Sequence, residues 1–225
     1  MYVIIVAAGS GQRFASDTPK QFLEIAGKLA LQHSIDAFDA LDIIQGIVLV
    51  MPQNQKLWKD IELKASKPLI YAQGGKSRAD SVLHGLQILA PSISDTCWVL
   101  VHDAARLCVA PSDIQKLIRQ CSKHNQGGLL VKPINDTIKY TKDTKHSEKT
   151  IDRQKLRAAL TPQMFPYRQL IKALEQADSK KTTDESSAFE QMGIQPLMVN
   201  GRSDNIKITY AEDLLLAEFI LRKRS

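Results

Sequence analysis

Between Val3 and Phe22 the chain reads VIIVAAGSGQRFASDTPKQF: an apolar run, a loop of small residues, then Arg13 and Lys20. Ala7, Ala8, Gly9 and Gly11 leave backbone N–H groups unobstructed, and such groups can cradle phosphate oxygens. Glycine also takes unusual backbone angles without steric cost. Arg13 offers a planar fork and Lys20 a point charge, a pair suited to a polyphosphate. Further on, VLVHDAAR ends an apolar run with Asp103 and Arg106. A carboxylate near anionic ligands is costly unless it meets a cation, a metal or a hydroxyl. Read alone, this one is a helix-capping Asp103 paired with Arg106.

Two familiar phosphate loops are excluded. The dinucleotide fingerprint GxGxxG would need glycine where Phe14 stands, and in GGKS at 74–77 the P-loop's first glycine is replaced by Ile70. No Ser–His–Asp set is visible. His33 and His84 lie in helix-like stretches and His124 and His146 in polar ones, so all four read as structural or exposed.

The elements that must position these residues follow from short apolar runs at 2–7, 46–51, 68–72, 97–102 and 128–133. Their length and β-branched content suit strands buried on both faces, as in a parallel sheet. Helical patterns lie between them, which implies βαβ units with helices on both sheet faces. In SRADSVLHGLQIL, Val82, Leu83, Leu86 and Leu89 share a face. Ser112 with Gln115, and Thr209 with Glu212, are spaced for capping boxes, and Gly127 for a helix stop. In such a sheet ligands bind outside the carboxyl ends of the strands, where the loop after Val6 lies. The segment 134–155 does not fit the pattern. It is polar and weakly alternating, a hairpin with too little apolar surface to bury itself. It is a surface flap or an arm that packs on another subunit.

The bulk composition agrees with a globular enzyme-sized chain. Its 225 residues are 44% hydrophobic and 24% charged, and a prior of about 150 residues per domain leaves one or two domains open. No composition shift divides the chain, so one domain with excursions is expected. No apolar run approaches the roughly 20 residues that span a bilayer, and the first residues lack a basic n-region. A cytoplasmic location, without a membrane partner, is the expectation. Cys97, Cys108 and Cys121 form no CxxC pair, which argues against disulfides and a zinc site. The net charge of +6 is scattered, without an aromatic-basic platform for nucleic acid. It suits phosphorylated metabolites.

AAGSGQRF, PKQFLEIAGK, GGKSRADSV, VHDAAR, TPQMF, TDESSA and GRSDNIKIT follow one another in order. Together they resemble the 2-C-methyl-D-erythritol 4-phosphate cytidylyltransferase family, from residue 2 to about residue 221. The resemblance implies a Rossmann-like nucleotidyltransferase fold: α/β, a mostly parallel sheet with helices on both faces, and a projecting β-arm. It also implies a homodimer joined through that arm. The reaction it implies joins CTP to 2-C-methyl-D-erythritol 4-phosphate in the non-mevalonate isoprenoid pathway. Ala7, Ala8, Gly9, Gly11, Arg13, Lys20, Gly75, Ser81, Asp103 and Ala104 would bind CTP. Asp103, Arg106, Thr137, Arg153, Thr183 and Lys207 would bind the acceptor. Arg13 and Lys20 match transition-state stabilisers, and Arg153 and Lys207 the groups that position the acceptor. Mg²⁺ is implied, bound mainly through the CTP phosphates, with no protein ligand claimed. Lys76 and Leu107 depart from the family pattern, where an acidic residue and a proline are usual. Two alternatives stand beside this reading: a cytidylyltransferase for ribitol 5-phosphate, and a non-catalytic nucleotide-binding protein on the same fold.

Overall fold

The computed structural model describes residues 1–9, 14, 18–91, 93–124 and 126–224. Its centre is a seven-stranded sheet of β1 (Tyr2–Val6), β4 (Gly46–Met51), β5 (Leu69–Gln73), β6 (Trp98–Asp103), β7 (Gly128–Pro133), β10 (Arg157–Pro166) and β11 (Leu197–Asn200). The spatial order is β11-β7-β10-β6-β1-β4-β5. All neighbouring pairs are parallel except those of β10, which runs against both β6 and β7. The five apolar runs of the sequence are strands within a residue of their expected bounds. β10 and β11 are additions.

Strand alternation divides the core. Val3, Ile5, Ile47 and Leu49 face one side, where α1 (Ala30–Asp39) and α3 (Pro111–Cys121) bring Leu31, Ile35, Phe38, Ile114 and Leu117. Ile4, Val48 and Val50 face the other. There they meet Val82 and Leu86 of α2 (Arg78–Gln87), Leu170 of α4 (Tyr167–Gln176) and Phe189 of α5 (Glu185–Gln191). Each such side chain, fully buried, contributes on the order of 2 kcal/mol. The sheet is thus held from both faces, which fixes its strand ends as a rigid rim. A smaller cluster packs α6 (Glu212–Arg224) beside the short hairpin β2 (Glu24–Ile25) and β3 (Lys28–Leu29).

The caps differ from the expected ones. α3 starts after Ala110 with Pro111 at its first position, and Ser112 makes no cap. A proline preset for the first turn removes one unsatisfied N–H, so the side chain is not needed. At α6 it is Asp213, not Glu212, whose Oδ2 accepts from the N–H groups of Thr209 and Tyr210. Gly127 lies beyond the end of α3 at φ 72°, where a Cβ would meet Phe165 at 2.2 Å; close packing, not helix termination, selects glycine there.

The segment 134–155 is a hairpin of its own. β8 (Ile138–Tyr140) pairs antiparallel with β9 (Lys149–Ile151) in a separate two-stranded sheet, and residues 141–150 are exposed throughout. The three cysteines are free.

Candidate active site

β1 is flanked by β4 on one side and β6 on the other, so the chain reverses its direction of winding between β1 and β6. Such a switch point leaves a crevice at the strands' carboxyl ends. A cleft of about 450 Å³ lies there. Ala7, Ala8 and Gly9 enter it after β1, Gly75 and Ser81 after β5, and Asp103 and Ala104 after β6, with Lys20 and Lys207 at its sides. Eight of the ten expected CTP residues therefore line one cavity. Gly11 and Arg13 lie outside the described residues. Lys76, the departure from the family pattern, also faces the cleft.

The loop after β1 is pinned by Gln21, whose amide donates to the carbonyls of Ala7 (2.6 Å) and Gly9 (3.1 Å). Among the described residues, a Cβ on Gly9 would touch nothing within 4 Å. Ala7 corrects the expectation in one respect. Its N–H continues the ladder by donating to Val50 (2.9 Å), so it is not free for a phosphate. The loop after β5 packs closely: a Cβ on Gly74 would lie 2.3 Å from that of Ala8, and one on Gly75 2.3 Å from that of Asp80. Ser81 accepts from the Gly75 N–H at 3.0 Å and donates to the Ser77 carbonyl at 2.9 Å. It holds the loop in shape. Ser77 and Asp80 form a capping box at the start of α2, which fixes the next residue, Arg78, at the rim.

The charged centre is arranged differently from the simplest pairing. Asp103 does not pair with Arg106. Its Oδ1 accepts from Nε of Arg78 at 2.9 Å and its Oδ2 from Nζ of Lys207 at 2.7 Å. Burial raises the Asp103 pKa, but these two cations outweigh it and hold the carboxyl well below its ordinary range. Arg106 instead donates to the carbonyls of Asn205 (2.9 Å) and Ala159 (3.2 Å), tying the turn after β6 to two other segments. Lys207 sits in an irregular segment, not at a strand start. Behind Asp103, Thr161 accepts from the Asp103 N–H at 3.1 Å and bonds Nδ1 of His102 at 3.0 Å. Burial pushes His102 down to about 3, so it is a neutral ring under the site floor.

A second cavity of about 240 Å³ adjoins the first, and Arg78, Asp103 and Lys207 line both. Arg106 and Thr183, two of the residues expected to bind the acceptor, line the second. Thr137 and Arg153 line neither. Both are exposed at the arm, where Arg153 donates to the Asn135 carbonyl. Sequence reasoning missed Arg78, Glu185, Thr161 and Gln163. Arg78 and Glu185 stood inside quoted motifs as the first residues of two helices, and only their contact marks them out. No group of three His, Cys, Asp or Glu side chains placed to hold a metal occurs among the described residues.

Comparison with known proteins agrees with this geometry. The family model described as IspD, 2-C-methyl-D-erythritol 4-phosphate cytidylyltransferase, matches residues 1–223. The enzyme so named from Vibrio vulnificus is 43% identical over 225 residues, covering 99% of this chain and 95% of that one. The one from Aliivibrio fischeri is 44% identical over 223 residues, covering 98% and 93%. Among solved structures, that of Francisella tularensis superposes with a TM-score of 0.84 at 33% identity, covering 97% of this chain and 98% of its own. With residues 1–223 matched by the family model and relatives above 40% identical over nearly the whole chain, this chain belongs to the 2-C-methyl-D-erythritol 4-phosphate cytidylyltransferase family.

Proposed function

We propose that the family's reaction takes place where the two cavities share a wall. The chain is a nucleotidyltransferase that joins CTP to 2-C-methyl-D-erythritol 4-phosphate and releases pyrophosphate. In our reading the larger cavity takes CTP and the smaller takes the acceptor. The observation that carries it is the shared wall of Arg78, Asp103 and Lys207. A ligand in each cavity would meet the other there, which is what a direct phosphate-to-phosphate attack requires. Nothing in the relatives' names favours the ribitol 5-phosphate alternative.

The acceptor phosphate oxygen attacks the α-phosphorus of CTP, forming the new P–O bond as the bridge to the β-phosphate breaks. Both partners are anions, so catalysis is mainly positioning and charge stabilisation. Lys20 and Arg13 would neutralise the α-phosphoryl oxygens. The Lys20 ammonium donates to the Ile208 carbonyl at 2.5 Å, one residue from Lys207, so the chain carries two cations to the place of reaction. Lys207 would hold the acceptor phosphate, and Asp103 the hydroxyls of ribose or acceptor. Ala7, Ala8, Gly75 and Ser81 would frame the cytosine, and Arg106 and Thr183 the polyol. Mg²⁺ would be held by triphosphate oxygens and water, because Asp103 is the one carboxylate among the described residues lining the larger cavity and both its oxygens are engaged. The ion supplies charge neutralisation on the phosphates when bound.

The 134–155 arm, with Thr137 and Arg153, would complete the acceptor site of a second copy in a homodimer. Its exposed strands cannot bury themselves on this chain. No described helix is long and apolar enough to cross a membrane; a cytoplasmic location is part of the proposal. The test is pyrophosphate release by the purified protein with CTP and each acceptor. Turnover should favour 2-C-methyl-D-erythritol 4-phosphate. Preference for ribitol 5-phosphate would overturn the acceptor, and no CTP-dependent release with either would overturn catalysis.

A further inference from the structure

Glu185 is a fully buried carboxylate, and the bonds its side chain accepts come from Arg78, at 2.6 and 3.1 Å. Burial pushes its pKa up against the pull of that arginine. Arg78 in turn is a cation in the first turn of α2, where the helix dipole disfavours positive charge. Neither residue sits comfortably alone. Together they form a fork: two guanidinium nitrogens grip Glu185, and the third, Nε, donates to Oδ1 of Asp103.

The fork joins three elements. Arg78 is the first helical residue inside the Ser77–Asp80 capping box of the nucleotide loop. Glu185 is the first helical residue inside the Asp184–Ser187 capping box, two residues after Thr183 of the acceptor cavity. Asp103 ends β6 between them. Both helix starts are therefore fixed by their own caps as well as by the ion pair, and the pair couples their separation to one carboxylate. Lysine could not do this, since a point charge cannot span two carboxylates with a planar fork.

We propose that Arg78 and Glu185 are a positioning pair that locks the Asp103 carboxylate and ties the nucleotide loop to the acceptor loop. The proposal rests on Asp103 belonging to the reacting site. Arg78 fixes one Asp103 oxygen so that the other points at Lys207 and the shared wall of the cavities. Without the fork, Asp103 would keep its charge but lose its direction.

A cycle of variants separates positioning from mere support. Removing one member would strand a buried charge, so both are replaced together by Arg78→Met/Glu185→Met, since apolar replacement of a buried ion pair is often neutral for stability. This double variant should keep its thermal midpoint and dimer yet lose about tenfold or more in kcat/KM. Asp103→Asn should lose at least about as much. In the Asp103→Asn background the double replacement should cost less than about threefold further, because residues that act through one another are not additive. A stable double variant with wild-type turnover overturns the positioning role, as does a full, additive loss in the Asp103→Asn background. An Asp103→Asn protein with wild-type turnover would instead sink the reading of Asp103 beneath it. If the double variant does not fold, Glu185→Gln, nearly isosteric, is carried through the same cycle with the same criteria.

Discussion

At the scale of the residue, Lys20 carries the clearest expectation. It follows Pro19 at the start of a short turn and lines the cleft, with its ammonium held near Lys207 by the Ile208 carbonyl. A preorganised charge aimed at a transition state is worth on the order of 3 kcal/mol, or a hundredfold in rate. Lys20→Ala should therefore lower kcat by about a hundredfold while moving the thermal midpoint by only a few degrees, the half-buried side chain giving up its bond to the Ile208 carbonyl. Steady-state kinetics beside a melting curve checks both halves. Lys20, Asp103 and Lys207 were legible as cleft residues because each stands inside one of the ordered motifs. Arg78 and Glu185 were not, because their pairing spans 107 positions and leaves no local trace. The same limit explains Asp103 and Arg106. Adjacent opposite charges suggest a pair, but the sheet turns Arg106 toward backbone carbonyls and brings two distant cations to Asp103.

At the scale of the element, the cleft depends on two loops that touch. Gly74 lets the loop after β5 lie against Ala8, and its N–H donates to the Met51 carbonyl at 2.8 Å. Gly74→Ala would force Ala8 and that loop apart, a strain of about 1–3 kcal/mol. The CTP KM should rise roughly tenfold with little change in acceptor KM, because the strain falls on the nucleotide side alone. Initial rates with each substrate varied in turn measure the split; equal effects on both would contradict it. Four of the five apolar runs were readable because their strands are buried on both faces; β5, at the sheet edge, corrects that expectation, with Ala72 alone buried and Tyr71 exposed. β10 was not readable, since RAALTPQMFP carries two prolines, and proline argues against a central strand. The chain accommodates it with a register shift between Ala159 and Gln163, where Pro162 falls. β11 has only four residues, with Met198 exposed, and gives a weaker signal still.

At the scale of the whole molecule, the proposed homodimer makes the number of chains per site a question about the arm. Lys20→Ala and Arg153→Ala should each inactivate the protein when expressed alone. If the arm serves a second copy, a mixed dimer of the two variants holds one site with both lesions and one with neither. Purified mixed dimers should then regain close to half the wild-type activity per dimer, scored by pyrophosphate release; silence would mean each arm serves its own chain. The arm's polar composition was legible as a misfit; a second copy as its partner came from the family resemblance alone, because polar alternation does not specify what covers an exposed hairpin. β10 adds a consequence for how such a protein can diverge. Three residues after Arg153 the chain becomes Leu156 and enters the strand that runs to Thr161 and Gln163 under the smaller cavity. Residues 141–148 at the hairpin's tip can drift in length and charge without disturbing that course. An insertion between Lys155 and Thr161 has no such latitude: it would slip the strand's register and unseat the cavity wall, so lineages are free to restyle the tip but bound to conserve the root.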